Sequence, residues 1–243
     1  INAGAVDVMS KPGSAFSVAD MSTALVDKIH AAAKARLSRP HTRQEAAQPK
    51  AEPVSLVQRK LTNAVVVIGA STGGTQAIQS VLQAMPRNSP GVVIVQHMPE
   101  NFTASFAARL NELCALEVRE ARNNDSVVPG VALIAPGNFH MLLKRSGARF
   151  FVQGKNGPLV CRQRPSVEVL FKSAAKSAGR NAVGVMLTGM GKDGAEGMLA
   201  MHQAGAKTIA QDEATSVALG MPHEATKRAG VARVVGLPQI PHQ

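Results

Sequence analysis

Short apolar runs alternate with amphipathic segments along most of the chain. The apolar runs are rich in Val, Ile and Ala, as in "VVVIGA" and "GVVIVQ", which is typical of buried strands. The segments between the runs repeat apolar residues at the spacing of a helix. This alternation predicts an α/β fold, namely a doubly wound, mostly parallel sheet with helices on both faces.

The pattern also predicts where the individual elements lie. Strands are expected at 63–70, 91–96, 116–121, 130–136, 182–189, 207–212 and 232–236, and helices at 75–85, 101–114, 165–178, 194–204 and 221–229. Residues 139–154 have the pattern of a β-hairpin that turns at Ser146 and Gly147. We therefore expect an antiparallel hairpin at one edge of the sheet.

The first 60 residues differ from the rest of the chain. Residues 1–36 contain one apolar strand, "AVDVMS", and an amphipathic helix from about Ser17, which is too little to bury a core alone. Residues 37–60 contain three prolines and little periodicity, which is typical of a flexible basic linker. The predicted division is a short piece at 1–36, a linker at 37–60 and a larger domain at 61–243.

Composition narrows the classes of function. The chain carries a formal charge of +11 but contains no Trp or Tyr and no nucleic-acid-binding motif, so we expect no nucleic-acid partner. Its two cysteines are far apart, and its histidines lack metal-ligand spacing, so we expect no metal. No apolar run is long enough to span a membrane. We therefore expect a cytoplasmic protein.

The motif "GASTG" at residues 69–73 joins the first predicted strand to a helix. It matches G-x-S-x-G, in which the serine is a nucleophile on a tight turn. The same segment could bind a phosphate or simply connect strand and helix. A dinucleotide loop fits less well, because Ser71 replaces the middle glycine and His97, not an acid, ends the second strand. From the motif alone these interpretations stay open.

Polar side chains also follow other predicted strands. His97 follows the second strand, Asp193 follows the strand at 182–189, and Asp212 follows the strand at 207–212. The carboxyl ends of parallel strands meet at one edge of the sheet, where ligands bind. With Ser71, these residues supply the components of a Ser-His-Asp triad. Position alone does not decide between the two aspartates.

Each residue type has a part in such chemistry. A serine hydroxyl needs a neighbouring base, which histidine provides near neutral pH, and a carboxylate orients that histidine. The helix that begins near Gly73 offers unpaired N–H groups for an oxyanion, and the N–H of Thr72 is a candidate. Three other histidines are weaker candidates for a role in the site. His140 and His202 lie in predicted elements and are expected to be structural, and His223 follows "GMP" as a candidate supporting residue.

Six segments in order resemble the catalytic domain of bacterial chemotaxis protein-glutamate methylesterases, the CheB family. They are "IGASTGGTQAIQSVL", "VVIVQHMPENFTASFAARLN", "LIAPGNFHMLL", "RPSVEVLFKSAA", "VMLTGMGKDGAEGM" and "AQDEATSVALGMP". The similarity covers about residues 61–237. The first 36 residues resemble the last strand and helix of a response-regulator receiver domain, with Lys11 and Pro12 matching its Lys-Pro signature. The earlier part of that domain, with its phospho-acceptor aspartate, is absent from this sequence.

This resemblance implies an activity and a set of roles. The activity is hydrolysis of glutamate methyl esters on chemoreceptors, with deamidation of receptor glutamines as a second reaction and no cofactor. Ser71 matches the family nucleophile, His97 the general base and Asp193 the third triad member. Thr72 matches the small polar neighbour of the nucleophile, and Met190 matches a position whose backbone N–H helps to bind the oxyanion. The implied partners are methyl-accepting receptors and, for an intact protein, the chemotaxis histidine kinase. A phosphate- or nucleotide-binding module without hydrolase activity is the alternative.

Overall fold

The computed structural model describes residues 64–243 and, before them, seven helical positions between 22 and 33. The predicted strand at 5–10 and the predicted linker at 37–60 lie outside the described residues, so the division of the first 60 residues stays a prediction. Among the helices of the described part, none is long and apolar enough to cross a membrane.

A seven-stranded parallel sheet forms the centre of the described domain. Its β-branched strands are almost fully buried, as expected for a sheet covered on both faces. The strands are adjacent in the order β3-β4-β2-β1-β7-β8-β9. Their bounds are β1 Val65–Ala70, β2 Gly91–Gln96, β3 Glu117–Glu120, β4 Val131–Ile134, β7 Ala182–Met186, β8 Lys207–Gln211 and β9 Arg233–Val235.

Helices cover both faces of this sheet, as predicted. Alternate residues of β1 face opposite ways, so Val65 and Val67 belong to one apolar core and Ile68 and Ala70 to the other. Two helices cover the face of Ile68, and three helices cover the face of Val65. The first pair is α1 Gly74–Ala84 and α2 Glu100–Leu113, and the other three are α3 Val167–Ser177, α4 Ala195–Gln203 and α5 Gly220–Lys227.

The direction in which the chain connects neighbouring strands reverses at the middle of the sheet. From β1 the chain crosses to β2 on one side, whereas from β7 it crosses to β8 on the other side. Since β1 and β7 are neighbours, the loops after them diverge and leave a crevice at their carboxyl ends. Open α/β sheets bind ligands in such a crevice. Ser71 follows β1 here, and the segment 187–193 follows β7.

The predicted hairpin forms, but it does not extend an edge of the main sheet. Strands β5 His140–Ser146 and β6 Arg149–Lys155 make a separate two-stranded antiparallel sheet. The apolar side chains on its inner face join the same core as α3. The backbone of Leu143 is bonded to α3 instead of to a strand, because its N–H donates to Ser173 and its carbonyl accepts from Ser177. Serine hydroxyls of a helix therefore satisfy this strand edge.

Two short helices in the described domain could not be predicted from periodicity. A short 3₁₀ helix at Gly179–Asn181 precedes β7, and a second one covers Leu237–His242. Ile240 in the second is 5% exposed and packs in the core beside α1. The helix predicted at 221–229 ends earlier, because Ala229 adopts a φ of 56° that a helix cannot continue.

Candidate active site

Ser71 lies at the crevice between β1 and β7. Its N–H donates to the carbonyl of Thr188 at 3.0 Å, and its own carbonyl accepts from the N–H of Gly74 at 2.7 Å. These bonds hold the short turn that joins β1 to α1. The serine is therefore attached both to its own helix and to the loop that follows β7.

The loop after β7 approaches Ser71 closely at Gly189. A Cβ atom at this position would lie 2.8 Å from the Cβ of Ser71 and 2.3 Å from the sulfur of Met221. Only glycine fits without moving a neighbour. The Gly189 N–H donates to Ala218, and its carbonyl accepts from the Met221 N–H. The peptide that precedes Met190 is thus held in place next to the serine.

His97 and Asp193 form a direct pair. The Nε2 atom of His97 lies 2.7 Å from the Oδ2 atom of Asp193, and both side chains are more than nine-tenths buried. Asp212 is engaged elsewhere, since its Oδ1 atom accepts from the N–H and the hydroxyl of Thr215. The structure thus brings the histidine together with Asp193 and not with Asp212, which residue position alone could not decide.

The carboxylate of Asp193 also accepts hydrogen bonds from the amino-terminal end of α3. Its Oδ1 atom accepts from the Ser166 hydroxyl at 2.7 Å and from the Glu168 N–H at 3.1 Å, and its Oδ2 atom accepts from the Val167 N–H at 2.7 Å. An aspartate just before a helix usually caps that helix. Asp193 instead caps a helix that precedes it in the chain, and the positive end of that helix stabilises its charge.

These contacts set the protonation of the pair. Burial by itself would raise the pKa of Asp193, but the hydrogen bonds from His97, Ser166 and Glu168 outweigh it and hold this pKa below its ordinary value. An ionised carboxylate can only accept, so Nε2 of His97 carries the proton in this bond. In the neutral imidazole the lone pair is then on Nδ1. That atom is buried and has no hydrogen-bond partner among the described residues.

Ser71 and His97 are neighbours through their backbones. Ala70 and Gln96 are paired in the sheet, and the His97 N–H donates to the Ala70 carbonyl at 3.1 Å. In the described part of the chain, the Ser71 hydroxyl makes no hydrogen bond to His97. Catalytic hydrogen bonds are often long in enzymes without substrate and shorten when it binds. The arrangement leaves Nδ1 as the ring nitrogen available to the serine.

Thr72 and Met190, the two predicted neighbours of the oxyanion, lie on loops that one threonine joins. The Thr188 hydroxyl lies 3.0 Å from the carbonyl of Thr72 and accepts from the N–H of Ala218 at 2.9 Å. Thr188 is 1% exposed, so these bonds are shielded from water. Since Met190 comes two residues later, this network sets how its backbone sits relative to the serine loop.

The remaining histidines and the cysteines do not join this centre. His140 bonds the carbonyl of Pro158, His202 lies 3.3 Å from the Thr208 hydroxyl, and His223 is exposed on α5. Both cysteines are free thiols. Within the described residues, no group of three His, Cys, Asp or Glu side chains is placed to hold a metal ion.

Sequence reasoning missed three residues that support the site, namely Gln96, Ser166 and Thr188. The signal for Gln96 and Thr188 is a polar residue at the end of an otherwise apolar strand. Ser166 stands before a predicted helix, so the sequence favours a cap there but cannot name its partner. Its hydroxyl donates to the carboxylate of Asp193, 27 residues further along the chain.

The lowered pKa of Asp193 predicts how stability depends on pH. A carboxyl whose pKa is lower in the folded state stabilises the fold above its unfolded pKa of about 4, and this contribution disappears as the pH falls through the folded value. We expect Asp193→Asn to have a lower free energy of unfolding than the wild type at pH 7, and the difference to shrink below about pH 4. Denaturant unfolding from pH 7 to pH 3 measures it. A difference that grows on acidification would contradict this assignment.

Comparison with known proteins agrees with the geometry. The family model described as CheB methylesterase matches residues 66–243. A protein-glutamate methylesterase/protein-glutamine glutaminase of Syntrophus aciditrophicus is 57% identical over 98% of this chain and 69% of its own length. A protein of the same description from Anaeromyxobacter dehalogenans is 54% identical over 99% of this chain and 69% of its own length.

A solved structure matches the described domain as well. The crystal structure of the Thermotoga maritima CheB methylesterase catalytic domain superposes with a TM-score of 0.72 at 36% identity, and the match covers 74% of this chain and 96% of that one. The family model, the curated relatives and the solved structure thus point the same way. By sequence and by fold, this chain belongs to the CheB methylesterase family.

Proposed function

We propose that the chain hydrolyses glutamate γ-methyl esters in proteins through a covalent serine mechanism. Ser71 is the nucleophile, His97 the general base and Asp193 the carboxylate that orients it. The observation that carries this proposal is the buried His97–Asp193 pair beside Ser71. Such a pair gives the hydroxyl a base whose tautomer is fixed, which is what a weak nucleophile needs.

In the first half of the reaction, the Ser71 oxygen attacks the ester carbonyl and its proton passes to Nδ1 of His97. The negative oxygen of the tetrahedral intermediate needs preorganised donors. We assign these donors to the backbone N–H groups of Thr72 and Met190, whose loops meet at Thr188. The protonated histidine gives its proton to the methoxy group, which leaves as methanol, and the substrate remains attached to Ser71 as an acyl ester.

Water completes the cycle. His97 removes a proton from water, the hydroxide attacks the acyl ester, and Ser71 leaves with the proton returned by the imidazole. The product is a glutamate carboxylate. A glutamine amide enters the same sequence with ammonia as the leaving group, which corresponds to the glutaminase activity in the names of the relatives.

A phosphate- or nucleotide-binding module is disfavoured by the same pair. Such a module binds anions through backbone N–H groups and has no need of a buried imidazole–carboxylate pair beside a serine. The lowered pKa of Asp193 keeps this carboxylate ionised, and its negative charge would repel a phosphate.

A generic esterase for small apolar molecules is less well supported. It would need an enclosed apolar pocket for its acyl group, whereas the curated relatives are named for reactions on glutamate and glutamine in proteins. We therefore propose cytoplasmic methyl-accepting chemoreceptors as substrates and, for an intact protein, the chemotaxis histidine kinase as the regulating partner.

Methanol release tests the activity directly. The purified chain is incubated with a receptor fragment carrying glutamate methyl esters, and methanol and free carboxylate are measured together. Equal amounts of both products are expected. Absence of methanol from a methylated fragment, with the fold intact by circular dichroism, would refute the proposed function.

The basic charge of the chain predicts a salt effect on encounter with the receptor. The chain carries +11, and a region that presents glutamates is acidic, so attraction should speed association. Raising the salt from 0.05 to 0.5 M shortens the screening length and should lower kcat/KM on a receptor fragment by about tenfold. Hydrolysis of a small neutral ester is the control and should change little. If salt lowered kcat/KM equally for both substrates, attraction between the basic chain and an acidic receptor could not be the cause.

A further inference from the structure

Gln96 is a buried polar residue in a strand that is otherwise apolar. It ends β2, whose other residues are Gly, Val and Ile, and only 4% of it is exposed. A polar side chain in such a place destabilises the fold unless its hydrogen bonds compensate. Its partners therefore indicate why an amide stands here instead of another apolar residue.

The amide nitrogen of Gln96 donates to two carbonyls. They belong to Ser71 at 2.9 Å and to His97 at 3.1 Å. Carbonyl oxygens can only accept, so the NH₂ group must face both, and the opposite orientation of the amide would place three oxygens together. One side chain thus joins the backbones of the proposed nucleophile and the proposed base.

The oxygen of the same amide is unpaired in the described part of the chain, so the fold keeps this residue at a cost. The Oε1 atom is buried and has no hydrogen-bond partner among the described residues. A Cβ atom on Gly74 would lie 2.1 Å from it, so a glycine at the start of α1 keeps room for this oxygen. Methionine has a similar size and would remove this unpaired oxygen, but it would also take away the donor that the two carbonyls share.

We propose that Gln96 is a positioning residue for the reaction. This proposal rests on the proposed function, because it concerns how Ser71 and His97 are held relative to each other. The two residues follow different strands and meet only at their carboxyl ends. By bonding both carbonyls, the amide limits independent movement of the two loops. A displacement of about 1 Å between reacting groups can lower a rate by about 100-fold.

Thr208 offers a control away from the site. It is the second residue of β8, is 1% exposed, and its hydroxyl accepts from the Ala232 N–H at 3.0 Å. This hydrogen bond joins no residue of the proposed site. Gln96→Met and Thr208→Val therefore both remove a buried hydrogen bond to the backbone, and both should destabilise the fold.

The test compares these variants on a small methyl ester and with a serine-directed phosphonate. Gln96→Met should lower kcat about 30-fold with KM within about twofold, and should slow phosphonate labelling of Ser71 by a similar factor. Thr208→Val should stay within about threefold of the wild type in both. Gln96→Glu keeps the shape, and its carboxyl, buried beside two carbonyl oxygens, stays protonated and can donate to only one of them. Its kcat should fall between those of the wild type and Gln96→Met, which tests the proposal even if the methionine variant folds poorly.

The outcomes separate this proposal from the proposed function. If the wild type hydrolyses the ester and Ser71→Ala does not, the proposed function stands whatever the glutamine variants do. Equal losses of kcat in Gln96→Met and Thr208→Val, or an unchanged labelling rate in Gln96→Met, would show that Gln96 only supports the fold and would overturn the positioning role.

Discussion

Ser71→Ala should lose ester hydrolysis almost completely, with kcat lower by about 10⁶, the loss seen when a serine protease is deprived of its nucleophile. The hydroxyl is the group that the His97–Asp193 pair is placed to activate, and its Cβ lies next to Gly189 in the crevice between β1 and β7. Methanol release from a methylated receptor fragment measures this change.

The fold should tolerate this substitution. The Ser71 hydroxyl makes no hydrogen bond to another described side chain, and the bonds that hold the turn come from the Ser71 backbone. The free energy of unfolding should therefore change by less than about 1 kcal/mol. A variant that is stable and keeps more than about a tenth of the wild-type kcat would contradict the covalent mechanism.

Asp193→Asn should lower kcat by about 10⁴, as it does in the best-known triad. Four donors point at this carboxylate, and an asparagine can accept with only one of its two terminal atoms. If its NH₂ group faces His97, the ring must accept at Nε2 and carry its proton on Nδ1. That nitrogen could then no longer take the proton of Ser71.

Asp212→Asn is the control for this prediction. Asp212 also follows a strand, but its side chain accepts from Thr215 in a local turn. An asparagine can make the same turn, so kcat should stay within about threefold of the wild type. If Asp212→Asn lost more activity than Asp193→Asn, the assignment of the carboxylate would be wrong. Steady-state rates of both variants on one ester decide between them.

Much of the fold and the main site residues could be predicted because strand ends are visible in the sequence. Runs such as "VVVIGA" place Ser71 and His97 directly after parallel strands, and parallel strands bring those ends together. Position after a strand did not distinguish Asp193 from Asp212. Both follow a strand, and the resemblance to a family favoured the one that the structure pairs with His97.

The rest depends on contacts that periodicity does not encode. The carboxylate of Asp193 caps a helix that starts 26 residues earlier, because the strand order brings β7 beside β1 and α3 over both. A sequence shows that a hairpin forms, but not that serines of α3 bond its free edge. The 3₁₀ helix that buries Ile240 is short and rich in proline, so it has no period to detect.

The two-residue turn of the hairpin divides the proposed machinery between two parts of the chain. Gly147 and Ala148 connect β5 to β6 at the surface, and a cut there leaves Ser71 and His97 on one fragment and Asp193 on the other. Neither fragment alone has a base held by a carboxylate, and each lacks strands that the other must supply to the sheet. Ester hydrolysis by two such fragments would therefore require their reassociation, which makes the domain suited to a split-enzyme reporter of protein proximity.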